Sequence, residues 1–205
     1  MTRTRLLALL LLASTCAQAQ ETPPDGGPSS DPTQVRAGAY VLDPAHGKIT
    51  WSVSHLGYST YYGQITDVAA KADLDPKAPA RSRLSVTIGM ASINGLNDAL
   101  NRHLQGPDFF DTATFPTATF TATLVEPTSP TTARISGTLT LKGVTKPVAF
   151  DATFNQAGIN PIDKRYTVGF DGRTVIKRSD FGVSAFLPAV GDEVSLRLEG
   201  EFKAQ

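Results

Sequence analysis

The chain has 205 residues, with 19 basic and 19 acidic side chains and a single cysteine. That length suits one sizeable domain or two very small ones. Balanced charge removes the basic field that nucleic acid or an anionic membrane surface would select, and one cysteine leaves no disulfide framework.

Met1 to Ala19 reads as a secretory signal. Arg3 and Arg5 form a basic start, Leu6 to Ala13 is an unbroken apolar run, and Ala17-Gln18-Ala19 is a small-x-small cleavage site. The run is too short to span a bilayer, and nothing later approaches the roughly 20 apolar residues a spanning helix needs, so no integral membrane segment is expected after cleavage. Cleavage after Ala19 leaves 17 basic against 19 acidic residues and no cysteine. The alternative, lipidation at Cys16, is disfavoured by the preceding Ala13-Ser14-Thr15. The expected location is the periplasm or the exterior. Residues 20–37, including ETPPDGGPSSDPTQ, hold little to bury and are expected to form a disordered Pro/Gly/Ser-rich linker.

From 38 to 205 alternation recurs, and successive strand side chains point to opposite faces. Ile49, Trp51, Val53 and His55 share one face. Tyr61 to Leu74 reads as a less regular strand or bent pair, interrupted at Gly63. Leu84, Val86, Ile88 and Met90 follow, and then Ala118, Phe120, Ala122 and Leu124, opposed by threonines at 117, 119, 121 and 123. Between these last two, Leu96, Ala99, Leu100, His103 and Leu104 fall at helical spacing, bounded by Asn94-Gly95 and Gly106-Pro107.

Arg134 to Asn155 is the most regular stretch. Ile135, Gly137, Leu139 and Leu141 precede a polar break, Lys142 to Pro147, and Val148, Phe150, Ala152 and Phe154 follow it. Two period-two runs around a glycine-containing connection form an antiparallel hairpin. Tyr166, Val168 and Phe170 begin another strand, and Val194, Leu196, Leu198 and Phe202 close the chain. The sum is about eight strands with one helical insertion. The class is all-β, and the pattern alone leaves a sandwich or a closed barrel.

No chemistry-bearing motif stands out. His46, His55 and His103 have neither the spacing of a zinc site nor a thiol partner. Asp180-Phe181-Gly182 matches a kinase triplet without its companion motifs, and no nucleophile elbow is present. Arg178 and Asp180 are expected to pin a turn by a salt bridge. The chain therefore reads as a non-enzyme with no catalytic residue, no cofactor and no metal.

Four blocks carry a family resemblance: YVLDPAHGKITWSVSHLGYSTYYGQI from Tyr40, HLQGPDFFDTATFPTATFTAT from His103, GTLTLKGVTKPVAF from Gly137, and IKRSDFGVSAFLPAVGDEVSLRLEGEF from Ile176. In this order they resemble the YceI-like family of periplasmic lipocalin-like, polyisoprenoid-binding proteins. The chain departs from that pattern at Leu100-Asn101, where the family commonly carries Arg-Asp, and at Trp51, where Phe is usual. The resemblance implies an antiparallel eight-stranded lipocalin-like barrel whose apolar interior holds an isoprenoid-like lipid: a polyprenol, a polyprenyl phosphate or an isoprenoid quinone. Trp51, Val53, Phe120, Leu139, Phe150 and Phe170 are the expected cavity residues. His55 is the candidate for a headgroup, and Phe109 and Phe110 for a lid at the mouth. The competing readings are a cavity-less β-sandwich adaptor serving envelope stress tolerance, and a lipid-modifying enzyme. A homodimer could use an exposed sheet edge or the linker, though no residue pattern argues strongly for one.

Overall fold

Threonine and charge on one face of each strand, against aliphatic and aromatic residues on the other, suit a sheet that is wet outside and dry inside. The computed structural model describes residues 27–205 and has that form. The expected signal at 1–19 and the first part of the linker, 20–26, lie outside the described residues. In chain order the strands are β1 (Gly38–His55), β2 (Ser59–Ile65), β3 (Val68–Leu74), β4 (Arg83–Gly89), β5 (Ile93–Asn94), β6 (Thr117–Pro127), β7 (Thr132–Leu141), β8 (Val144–Ile159), β9 (Tyr166–Lys177) and β10 (Val190–Ala204), with helix α1 (Asp98–Gln105) between β5 and β6.

Eight of these strands close a barrel, all antiparallel: β1–β3–β4–β6–β7–β8–β9–β10 and back to β1. The remaining two, β2 and β5, extend sideways from β1. Closure removes the free edges that an open sheet would expose, and it replaces the cavity-less sandwich among the sequence readings. The 18-residue β1 holds the junction together. Its one edge runs along β10 from Tyr40 to His55, and its other pairs first with β3 and then with β2. A bulge between Leu42 and Gly47 throws Asp43 to His46 outward and bends the strand around the barrel.

Three local expectations change. The β7–β8 connection is two residues long, because Lys142 and Gly143 both take positive φ, 49° and 74°. That is the geometry of a type I′ hairpin turn, so Val144 to Pro147 belong to β8. The break between β2 and β3 falls at Thr66-Asp67, not at Gly63, which stays inside β2. Residues 27–37, expected to be disordered, pack on the barrel. Ser29 and Ala157 exchange backbone hydrogen bonds of 2.7 and 2.9 Å, Pro32–Gln34 form a 3-10 turn, and Val35 is buried. The composition is poor in apolar residues, yet a buried valine, paired backbone groups and the Tyr40 and Tyr166 hydroxyls seat it.

The helix forms over eight residues. Asn97 caps it by accepting from the Leu100 N–H at 3.0 Å. Leu104 is its buried residue, whereas Leu96 lies outside the helix at φ 59° and is exposed. The family's Arg-Asp position serves packing here. Asn101 accepts from the Gly95 N–H at 2.7 Å and donates to Asn94 at 3.2 Å, which ties α1 to β5.

Candidate functional site

The inward positions of the barrel alternate between bulky and very small residues. Ala70, Ala72, Ala152 and Gly172 stand among the larger side chains and leave the centre unfilled, whereas at Gly137 the Phe120 ring takes the space a side chain would need. The result is a cavity of about 330 Å³ with an almost wholly apolar wall, within the roughly 300–1,000 Å³ usual for small-molecule sites. The aromatic rings lie along the wall in edge-to-face pairs, Phe120 on Phe150 at 5.6 Å, Phe154 on Phe170 at 5.8 Å and Phe170 on Phe202 at 6.0 Å. Inward-facing Leu139, Val148, Phe150, Phe170, Leu196 and Leu198 remain only half-buried. Their free faces look into the cavity.

The two ends of the barrel differ. At one end the rim is made by the β3–β4 loop, the β6–β7 loop and the segment before β1, contributing Pro76 and Pro79, Pro127 and Pro130, and Pro32 and Val35. Asp75 stiffens the first of these, accepting from the Lys77 and Ala78 N–H groups, and its own N–H donates to Ser82 Oγ at 3.0 Å. At the other end Trp51, Ile93, Leu104, Phe109 and Val183 form a close-packed plug, each no more than 8% exposed. Trp51 stacks on Tyr61 at 6.1 Å, and His103 sets its edge against Phe109 at 5.0 Å. The Trp51 indole N–H is buried and has no hydrogen-bond partner among the described residues.

Of the residues expected to form the site, Phe120, Leu139, Phe150 and Phe170 line the cavity together. Trp51, Val53, Phe109 and Phe110 do not. They belong to or pack against the plug, and none of the four lines the cavity, so the Phe109-Phe110 loop lies at the opposite end from the proline-rich rim. His55 is an exposed residue at the plug end of β1, 6.1 Å from the Tyr61 ring, and does not reach the cavity. Sequence reasoning missed the aliphatic and alanine positions of β3, β4 and β10, Val86, Leu196 and Leu198 among them. Each carries the same alternation, but selecting bulky residues passed them over.

The β9–β10 connection is held by Arg178, whose guanidinium is 5% exposed and donates to three backbone carbonyls, Gly191, Val183 and Val190, at 2.8–2.9 Å. Its acidic neighbour is Asp192, not the expected Asp180, which is exposed. The Ser179 hydroxyl and N–H both donate to Asp192 and hold its carboxyl below the usual range.

Among the described residues one cluster has the ligand types of a metal site: Asp43, His46 and Glu201 bring their side-chain atoms within 4.8 Å of one another. The buried Lys203 ammonium already supplies a cation there, 3.7 Å from Asp43 and 3.8 Å from Glu201, and it completes its shell with Asp163 at 2.9 Å and Thr167 at 3.0 Å. The arrangement is an ion-pair network that fastens the bulge of β1 to the β8–β9 loop. The hydrogen bond from His46 holds the Asp43 carboxyl below its ordinary range, and Lys203 does the same for Asp163.

Comparison with known proteins agrees with this architecture. The family model described as YceI-like domain matches residues 40–202. A UPF0312 protein of Ectopseudomonas mendocina is 37% identical over 170 residues, covering 82% of this chain and 88% of that protein. Among solved structures, Burkholderia cenocepacia BcnA superposes with a TM-score of 0.71 at 28% identity, over 78% of this chain and 98% of that one. The Campylobacter jejuni YCEI protein gives 0.66 at 33% identity, over 74% and 90%. A polyisoprenoid-binding domain from Saccharophagus degradans, implicated in plant cell wall breakdown, gives 0.59 at 15% identity, over 83% and 100%, a likeness of fold.

Proposed function

Because the chain belongs to the YceI-like family, and because its barrel is hollow, we propose that it binds an isoprenoid-like lipid, a polyprenol, polyprenyl phosphate or isoprenoid quinone, in the apolar lumen. The observation that carries this reading is the half-buried state of the inward residues around a space of about 330 Å³. A methyl-branched hydrocarbon replaces water along such a wall. Burying about ten CH₂ groups at ~0.8 kcal/mol each contributes roughly 8 kcal/mol before ordering costs, which as a gross figure corresponds to about micromolar binding.

The mechanism is sequestration, a binding role with no chemical step. The apolar wall takes the tail, and the polar head stays at the proline-rich rim, where water is available. The solved neighbour from Saccharophagus degradans, described as polyisoprenoid-binding, supports the choice of ligand class by shared fold. Among the described residues no helix is long and apolar enough to cross a membrane. The pattern of residues 1–19 supports export, and we assign the protein to the periplasm or the exterior.

Organic extraction of the purified protein followed by mass spectrometry tests the proposal. A co-purifying prenyl lipid, or stoichiometric uptake of added polyprenol by emptied protein, is the expected result. A clean extract together with no uptake of polyprenol or quinone contradicts it. The same mass measurement on the intact protein reads the mature amino terminus and checks cleavage after Ala19.

A further inference from the structure

The segment ahead of β1 lies outside the matched family domain, which begins at residue 40, yet it is built into the cavity. It starts against β8, where Ser29 pairs with Ala157, and ends where Gly38 opens β1. Since β9 and β10 separate β8 from β1 around the barrel, residues 29–37 must cross the rim past both. They form a strap.

Four contacts seat it. The Tyr166 hydroxyl lies 3.3 Å from both the Gln34 carbonyl and the Arg36 N–H, accepting from the N–H and within donating reach of the carbonyl. The Tyr40 hydroxyl donates to the Arg36 carbonyl at 2.6 Å, and the Arg36 guanidinium lies 4.2 Å over the Tyr166 ring. At the outer end the strap backbone comes so close to β8 that a Cβ on Gly158 would stand 2.6 Å from Pro28 Cα. Between these anchors Val35, 9% exposed, joins the barrel core, and Pro32 and Val35 both line the cavity.

We infer that the strap is a wall of the lipid site, with Val35 as its contact to the bound hydrocarbon and its anchors setting how fast the ligand leaves. This rests on the proposed lipid-binding reading and adds to it a binding element from outside the matched family domain. An apolar side chain at 35 extends the dry surface to the rim. A charged one there would face the hydrocarbon and lose its hydration. The ligand in turn gives Val35 more to bury, so occupancy and strap seating favour each other.

The test uses the purified protein, the fluorescent apolar probe N-phenyl-1-naphthylamine, and geranylgeraniol as competitor. Val35→Asp is expected to weaken probe binding by about tenfold or more, a factor equivalent to about 1.4 kcal/mol, while Ala37→Asp, at an exposed position of the same strap that does not line the cavity, leaves it unchanged. Gly158→Val, which crowds the strap at Pro28, is expected to speed probe release several-fold in stopped flow. Trypsin cleavage after Arg36, read by mass, provides a measurement on unaltered protein, and geranylgeraniol is expected to slow it. Equal probe binding by Val35→Asp and the parent overturns the strap's role and leaves the lipid reading standing. So does a cleavage rate at Arg36 that ignores geranylgeraniol, even where Val35→Asp fails to fold. A parent protein that binds neither probe nor geranylgeraniol overturns the lipid reading and the strap inference together.

Discussion

The plug and the lumen wall are both built from aliphatic and aromatic residues, and they differ in which elements supply those residues and in what they meet. In the plug, Trp51, Leu104, Phe109 and Val183 close on one another from β1, α1 and the β9–β10 connection, at 0–8% exposure. Leu198, which faces Ile49 two positions along β1 from Trp51, lines the cavity with Leu139, Phe150 and Phe170, and all four stay half-buried. Inserted segments account for the contrast. The plug end receives α1 and the loop after it, and the cavity end receives only short loops and the strap. Hydrophobic burial is complete where a further element arrives to cover the face, and the same alternation without a cover makes a binding surface.

This contrast orders the expected effects of substitution. Phe109→Ala removes a packed ring from the plug and is expected to cost about 3–5 kcal/mol in denaturant unfolding. A cost near that of a wall residue would mean that the plug is not a separate close-packed unit. Arg178→Met leaves three carbonyls at the β9–β10 connection without their donor and is expected to cost about 3 kcal/mol. Accelerated proteolysis between 182 and 190 is the accompanying sign, and protection equal to that of the parent would contradict the clamp. Phe150→Ala, whose ring faces the lumen, is expected to cost only about 1 kcal/mol in stability. It should nevertheless change probe affinity clearly, and a large stability loss with unchanged affinity would make Phe150 ordinary core.

The smallest effect is on pH dependence. The folded-state values of Asp43, Asp163 and Asp192 are depressed by their hydrogen-bond and charge partners. Groups of this kind contribute stability that is fully present above their unfolded value of about 3.9 and lost as pH falls through the lower folded value. The melting temperature is therefore expected to drop below about pH 4, with a shallower acid limb in Asp163→Asn. An acid limb unchanged by that substitution would remove Asp163 from the Lys203 network.

What could be read from the sequence was which side of the sheet most strand residues take, Leu124 being an exception because a bulge after Ala122 turns it outward and puts Val125 inside. The alternation through Ile135 to Leu141 and Val194 to Phe202 puts the same residues inward in the barrel. A period of two carries no information on height along the barrel axis, and height decided the fate of the chosen site residues. Trp51 and Val53 alternate as cleanly as Leu139, but they pack with Ile93, Leu104, Phe109 and Val183, which come from outside the barrel strands and leave no local sign in β1. The turn at Lys142-Gly143 was blurred because Thr145, Lys146 and Pro147 look like loop residues while lying in a strand. The strap was invisible for a related reason. Its seating depends largely on Tyr166, Ala157 and Gly158, more than 100 residues away, and Val35 is its one large aliphatic side chain.

The hollow lumen is tested most directly by calorimetric titration of a polyprenol series into emptied protein and into Val148→Trp, whose indole would occupy the space. Binding with a negative heat-capacity change, stronger for longer chains until the lumen is full and abolished or shortened in reach by Val148→Trp, is the expected result. Equal heats for parent and filled variant, or no heat-capacity change on binding, would contradict a lipid seated inside the barrel.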